Sequence, residues 1–311
     1  YAKTLNKSSD IKYEIKNAIK IATSERPGPV WLDVPLDVQS QKFRFLKSKK
    51  ILDLNKQERF KKKIDFNQIY KLINRSDRPV FLVGNGVHIS ESEKDLYKLI
   101  NKIKIPILST WNASDIVHSN HHLNFGRPGL FGNRIANFVI QSCDLLIVLG
   151  SRLSVPITGY QIKNFSPKSK KIYVDIDKKE IIKRNLKIDM PIKADLGIFI
   201  KKMNSFLKMK KVINKEKWNN ELKNLKKNLD EDNSYKREKK YVNSFNFINA
   251  LSKILKGNDN IVTDMGTSFT CTMQTFKTKR NQRLFTSSGI AAMGFGLPGL
   301  IGSYYGDKKK T

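Results

Sequence analysis

From Arg78 onward, short apolar runs alternate with amphipathic stretches. "PVFLVGNG" (79–86), "IPILST" (105–110), "DLLIVLGSR" (144–152), "KKIYVDID" (170–177) and "MPIKAD" (190–195) read as strands. Residues 91–103 and "NRIANFVIQSC" (133–143) carry helical spacing between them. Strands with little polar alternation suit a parallel sheet covered on both faces by crossover helices. The pattern predicts a doubly wound α/β domain of about 150 residues.

The flanks differ. Ile11, Ile15, Ala18, Ile19 and Ala22 recur at helical spacing after Ser9 or Asp10 as N-cap, and "VWLDV" (30–34) reads as a short buried strand. Residues 40–65 are polar and basic and predict a linker, and 201–240 predict a solvated helical connector with sparse apolar positions. A second α/β unit then begins, with a helix at 245–255, a strand at 260–266, a helix at 268–276 and a strand at 283–289. The last helix falls within 292–305. Pro298 lies inside it, so either the helix starts near Leu297 or it is kinked.

Composition narrows the classes. A chain of 311 residues holds about two domains. Its net charge of +31 would favour phosphate backbones, but the lysines are scattered and carry no nucleic-acid recognition pattern, so no nucleic-acid partner is expected. No apolar run reaches the roughly 20 residues of a membrane span, and no secretory segment opens the chain. Cys143 and Cys271 alone make neither a disulfide framework nor a zinc site, which makes the cytoplasm the default. His88, His118, His121 and His122 lack metal spacing; neighbours 121 and 122 point apart on any regular element and read as surface residues.

Glycines at strand ends carry the chemistry. Gly84-Asn85-Gly86, the "GRPGLFG" loop (126–132) and Gly150-Ser151-Arg152 stand where doubly wound sheets hold ligands. The first lacks the third glycine of a dinucleotide fingerprint and serves equally as a tight turn. Arg152 can pair with a diphosphate; Asp175 and Asp177 can accept from a ribose, or Asp177 can cap the next helix. In "DMGTSF" (264–269) a strand feeds a Gly-Thr-Ser turn at a helix start, which suits a diphosphate, although Thr267 or Ser268 also makes an ordinary N-cap.

"RPGPVWLDVPLDVQ", "ANFVIQSCDLLIVLGSR", "IYVDID", "DMGTSF" and "SSGIAAMGFGLP" follow one another in an order and spacing that resemble thiamine-diphosphate enzymes, above all the acetohydroxyacid (acetolactate) synthase branch. The resemblance implies a Rossmann-like central domain at 60–210, which binds FAD in some branches, flanked by partial flavodoxin-like thiamine-diphosphate-binding domains. Residues 1–45 would be the tail of the pyrimidine-binding domain, 211–240 a linker, and 241–311 the opening, cut short, of the diphosphate-binding domain. Since the chain opens on Tyr1 rather than Met, an upstream segment is expected.

The same resemblance implies thiamine diphosphate and Mg2+ as cofactors, with FAD in some branches. Met293 takes the place of the residue that bends thiamine diphosphate, among Gly289, Ala291, Ala292 and Gly294. The backbone carbonyl of Ala291 would accept from the cofactor's amino group. Gly266, Thr267 and Ser268 match the diphosphate-contacting turn, in a form more like the decarboxylases than the synthases. Gly84, Gly86, Leu130, Arg152, Asp177 and Asp195 fall near the FAD-contacting positions. No catalytic residue is expected in this chain: the activating glutamate should precede Tyr1 and the metal ligands should follow Thr311, with Asp307 a loop residue. The 311 residues alone should therefore be inactive.

The implied reaction decarboxylates a 2-keto acid such as pyruvate and passes two carbons to a second carbonyl compound; a keto-sugar acceptor is one option. A 2-keto acid decarboxylase, a pyruvate oxidase and a non-catalytic nucleotide-binding remnant are the alternatives. Full length, the family implies a homodimer or homotetramer with no membrane partner.

Overall fold

A computed structural model describes residues 1–42, 64–182, 186–229 and 240–306. The chain divides into two compact units, Tyr1–Lys63 and Ile64–Thr311.

In the first unit, β1 (Ala2–Thr4) pairs in parallel with β2 (Trp31–Asp33), with α1 (Ile11–Thr23) between them and α2 (Leu36–Gln39) after. Strand β1 spans three residues, too short for alternation to reveal it. The predicted strand at 30–34 is there but not buried: Trp31 and Asp33 are exposed. Helix α1 also presents another face than its apolar spacing suggested. It buries Glu14, Asn17 and Ala18, while Ile15 and Ile19 are exposed. Lys3 and the Tyr1 hydroxyl both reach the Glu14 carboxylate, which accounts for the buried acid.

The second unit opens with the predicted parallel sheet. Strands β3 (Pro79–Val83), β4 (Ile107–Ser109), β5 (Leu145–Leu149), β6 (Lys170–Asp175) and β7 (Met190–Lys193) lie in the order β4-β3-β5-β6-β7, all parallel. Its apolar runs are explained by two cores. Phe81, Val83, Ile147, Leu149, Ile172 and Val174 face one of them. It is closed by α3 (Phe66–Arg75), α5 (Glu93–Ile103) and α9 (Leu196–Leu207). Val80, Leu82, Leu146, Val148 and Tyr173 face the other, with α6 (Arg134–Ser142). Short helices α4 (Gly86–Ile89), α7 (Val155–Thr158) and α8 (Lys178–Ile182) follow β3, β5 and β6.

The stretch read as a solvated connector holds α10 (Glu216–Asn228), which buries Trp218 and Leu222 in the second core. Two apolar residues one turn apart were enough to seat the helix in that core.

The remainder is a two-stranded parallel sheet of β8 (Asn260–Thr263) and β9 (Arg283–Thr286), with α11 (Ser244–Ile254), α12 (Thr267–Thr275) and α13 (Gly296–Gly306). Helix α13 begins at Gly296, so Pro298 falls in its first turn, where proline costs least. A third core joins this part to the central sheet. In it, Trp111 meets Phe269 of α12 edge-on at 4.8 Å between ring centres, and Phe131 packs against it. No described helix is long and apolar enough to cross a membrane.

Candidate functional site

The end of β8 and the start of α12 form one candidate site. Gly266 precedes α12 at φ 75°, a conformation that a side chain would strain, and a Cβ there would meet nothing within 4 Å. Thr267 and Ser268 are exposed in the first turn, which itself contains no acidic residue. Thr270 N–H makes its bond to Gly266 O, so the three N–H groups before it have no acceptor within the helix. Together with the positive end of the helix dipole they suit an anion. The Ser268 hydroxyl donates to Met265 O at 3.1 Å and keeps its lone pairs for an incoming donor.

The residue that organises this end is Asp264, which sequence reading quoted in its motif without assigning it a role. Its carboxylate accepts from Met265 N–H at 2.7 Å, Gly294 N–H at 3.0 Å and Gly296 N–H at 3.1 Å. The Met265 bond, then the Gly296 bond, hold its pKa below the ordinary carboxylate value, so it remains an acceptor at neutral pH. The loop bearing Met293 is thereby fastened to the residue two positions before Gly266. Gly289 and Ala291 lie in the same loop, the latter at φ 61°, with its N–H bonded to Ser287 O at 2.8 Å. Met293 is 92% exposed, and Ile290 and Leu297 beside it are exposed too. Large apolar side chains clustered in solvent mark a surface that something else covers.

The six positions named for FAD all lie beyond strand ends, and five of them also have work within the chain. A Cβ on Gly84 would stand 2.2 Å from Gly150 O, and one on Gly86 2.8 Å from Gly150 Cα. These glycines let the loops after β3 and β5 cross at the point where strand order reverses. Arg152 pairs with the buried Glu180 of α8 at 2.8 Å. Asp177 accepts from Lys179 N–H at 2.8 Å, and Asp195 caps α9 through Ile198 N–H at 2.9 Å. Leu130 is 70% exposed.

Sequence reading also missed a network joining β9 to the central sheet. His88 has Glu93 at its Nδ1 (2.6 Å) and Asp115 at its Nε2 (2.8 Å). Arg283 of β9 reaches the same Asp115 at 2.7 Å. The two histidines expected to point apart stack instead, with ring centres 4.7 Å apart, because they lie in a turn and not on a regular element. Burial, then the charges of His122 and His118, pushes the His121 pKa down to about 4. Among the described residues no group of three or more His, Cys, Asp or Glu side chains could hold a metal, and Asp307 lies outside them.

The family model for the central domain of thiamine pyrophosphate enzymes matches residues 66–203, the segment of the five-stranded sheet. Through this domain the chain is similar to the thiamine pyrophosphate enzymes. Its similarity to the relatives extends to both sides of that domain. A probable acetolactate synthase large subunit of Methanocaldococcus jannaschii is 33% identical over 308 residues, 96% of this chain and 52% of the relative. The acetolactate synthase isozyme 1 large subunit of Escherichia coli is 30% identical over 93% of this chain and 50% of the relative. A chloroplastic acetolactate synthase of Nicotiana tabacum is 29% identical over 96% of this chain and 44% of the relative. The chain thus spans about half the length of the curated relatives it matches.

Proposed function

We propose that this chain carries the central domain and the cofactor-bending part of an acetolactate synthase-like carboligase. The reaction would decarboxylate a 2-keto acid such as pyruvate and transfer the two-carbon unit to a second carbonyl compound. The observation that carries the reading is the fastening of the Met293 loop to the Gly266 turn through Asp264, the two motifs the family uses for one cofactor.

In this reading thiamine diphosphate supplies the carbanion chemistry. The Gly266 turn and the first N–H groups of α12 hold the diphosphate end, with Thr267 and Ser268 beside it. Met293 offers an apolar prop, and the Ala291 carbonyl accepts a proton donor at φ 61°. Asp264 fixes the spacing between these two parts. Mg2+ would be held by groups other than those described, and no step is assigned to FAD. Exposed Met293, Ile290 and α13 support assembly as a homodimer or homotetramer, in which a further protein surface closes the site.

The test is product analysis of the protein as its whole reading frame encodes it, given pyruvate, thiamine diphosphate and Mg2+. Acetolactate, or an adduct with an added carbonyl acceptor, supports carboligation. Acetaldehyde or acetate as the sole product would replace it by a decarboxylase or an oxidase, a choice the Gly-Thr-Ser turn keeps in view. No turnover, with no binding of thiamine diphosphate, would overturn the reading.

A further inference from the structure

The loop that carries Met293 is held at both ends by two adjacent residues. Where it leaves β9, the Thr286 hydroxyl donates to Met265 Sδ at 3.7 Å. Where it enters α13, the N–H groups of Gly294 and Gly296 donate to the Asp264 carboxylate at 3.0 and 3.1 Å. Between these ends, residues 289–294 are exposed, and Ile290 and Ala291 N–H bond to Ser287 O within the loop itself.

Asp264 divides its oxygens between the two parts of the site. Oδ1 accepts from Met265 N–H, just before the Gly266 turn, and from Gly294 N–H, just after Met293. Oδ2 takes Gly296 N–H. The approach is close, for a Cβ on Gly296 would stand 3.1 Å from Asp264 Cβ. Both helices have separate seats. A Cβ on Gly299 of α13 would stand 2.9 Å from Val262 Cγ1 of β8. At the C-terminal end of α12, Met273 O and Phe276 O accept from the buried Arg127 of the central domain. Replacing the carboxylate should therefore free the loop and leave α12 and α13 in place.

We propose that Asp264 is a positioning residue that makes the site select a diphosphate joined to an aromatic ring over free diphosphate. This role rests on the reading of the Gly266 turn and Met293 given above, and names the group that makes the two act together. The N–H groups before Thr270 serve an anion with or without Asp264. A ring gains from Met293 only at the right separation, since a gap of about 0.5–1 Å forfeits a quarter to a half of each dispersion contact. A loop already fixed also loses less freedom on binding.

The test is isothermal titration, with Mg2+ present, of the protein as its whole reading frame encodes it. The probes are thiamine diphosphate and inorganic diphosphate, and the parent should bind the first more tightly. Asp264→Asn loses a charge-assisted hydrogen bond, so thiamine diphosphate should bind about tenfold more weakly, with inorganic diphosphate within about twofold of the parent. Asp264→Glu keeps the charge but moves it by one methylene, and should lose the selectivity too. Unchanged diphosphate binding reports an intact turn, and thermal melting without ligand checks the fold. Four results would overturn the positioning role while leaving the reading of the site standing. They are equal loss of both probes in Asp264→Asn, parent-like binding of both, tighter diphosphate binding by that variant, and parent-like selectivity in Asp264→Glu. A parent that binds neither probe, or does not prefer thiamine diphosphate, would overturn that reading and this role together.

Discussion

Asp115 gives the most direct test of how the β8–β9 part is joined to the central sheet. Its carboxylate is wholly buried, and one oxygen, Oδ2, accepts from both Arg283 Nη1 at 2.7 Å and Leu284 N–H at 2.9 Å. Asp115→Ala leaves the Leu284 N–H buried without an acceptor, which costs about 1–3 kcal/mol. Arg283 is 42% exposed and can turn to water, so its lost contact adds only about 0–1 kcal/mol. A local loss of about 1–4 kcal/mol corresponds to about 5- to 700-fold faster amide exchange, at 1.4 kcal/mol per factor of ten. Hydrogen exchange resolved by residue reads this directly. Exchange should quicken across β9 while the amides of β3 and β5 stay protected. Asp115→Asn keeps one oxygen and should lose about a third as much. If Leu284 in Asp115→Ala exchanged within about threefold of the parent, the bond would not be what holds β9 in place.

Other consequences are equally open to measurement. Gly84→Ala puts a methyl 2.2 Å from Gly150 O, and the loops must part at a cost of about 1–3 kcal/mol or more; an unchanged melting temperature would refute the close crossing. Trp218→Ala should cost about 3–5 kcal/mol in urea unfolding, since the ring is 4% exposed within the second core; a loss below about 1 kcal/mol would return α10 to the role of a solvated connector. His121 is neutral in the fold down to about pH 4, whereas the unfolded chain takes up a proton near its ordinary value. The unfolded state therefore binds more protons between the two, and stability should fall as pH drops through that window; His121→Asn should flatten the fall.

Much of the fold could be read along the chain because β3, β5 and β6 are buried on both sides, a condition that leaves runs such as Leu145–Leu149 entirely apolar. Pro298 marked the start of α13 for a reason equally local, its missing N–H. What could not be read are relations between distant residues. Asp115 and Arg283 are 168 positions apart, and nothing in either neighbourhood announces the other. Gly84 could serve a ligand or a tight turn, and spacing cannot reveal that the backbone of Gly150 lies against it. Asp264 stood inside a quoted motif, but its task concerns amides thirty positions on. In α1 the apolar spacing was real, but of its five positions only Ala18 is buried, and Glu14 lies beside it in contact with Lys3 and Tyr1.

Arg127 binds two carbonyls at the C-terminal end of α12, while the other end of that helix is open at Gly266. The helix is a lever with its fulcrum in a neighbouring fold. A tilt of a few degrees at the anchored end would displace Gly266 sideways by a fraction of an ångström, enough to matter to anything gripped there. The central sheet can then govern a distant ligand without touching it, as the foundation that keeps a pointer aimed, and that service would persist whether or not the sheet held a nucleotide of its own.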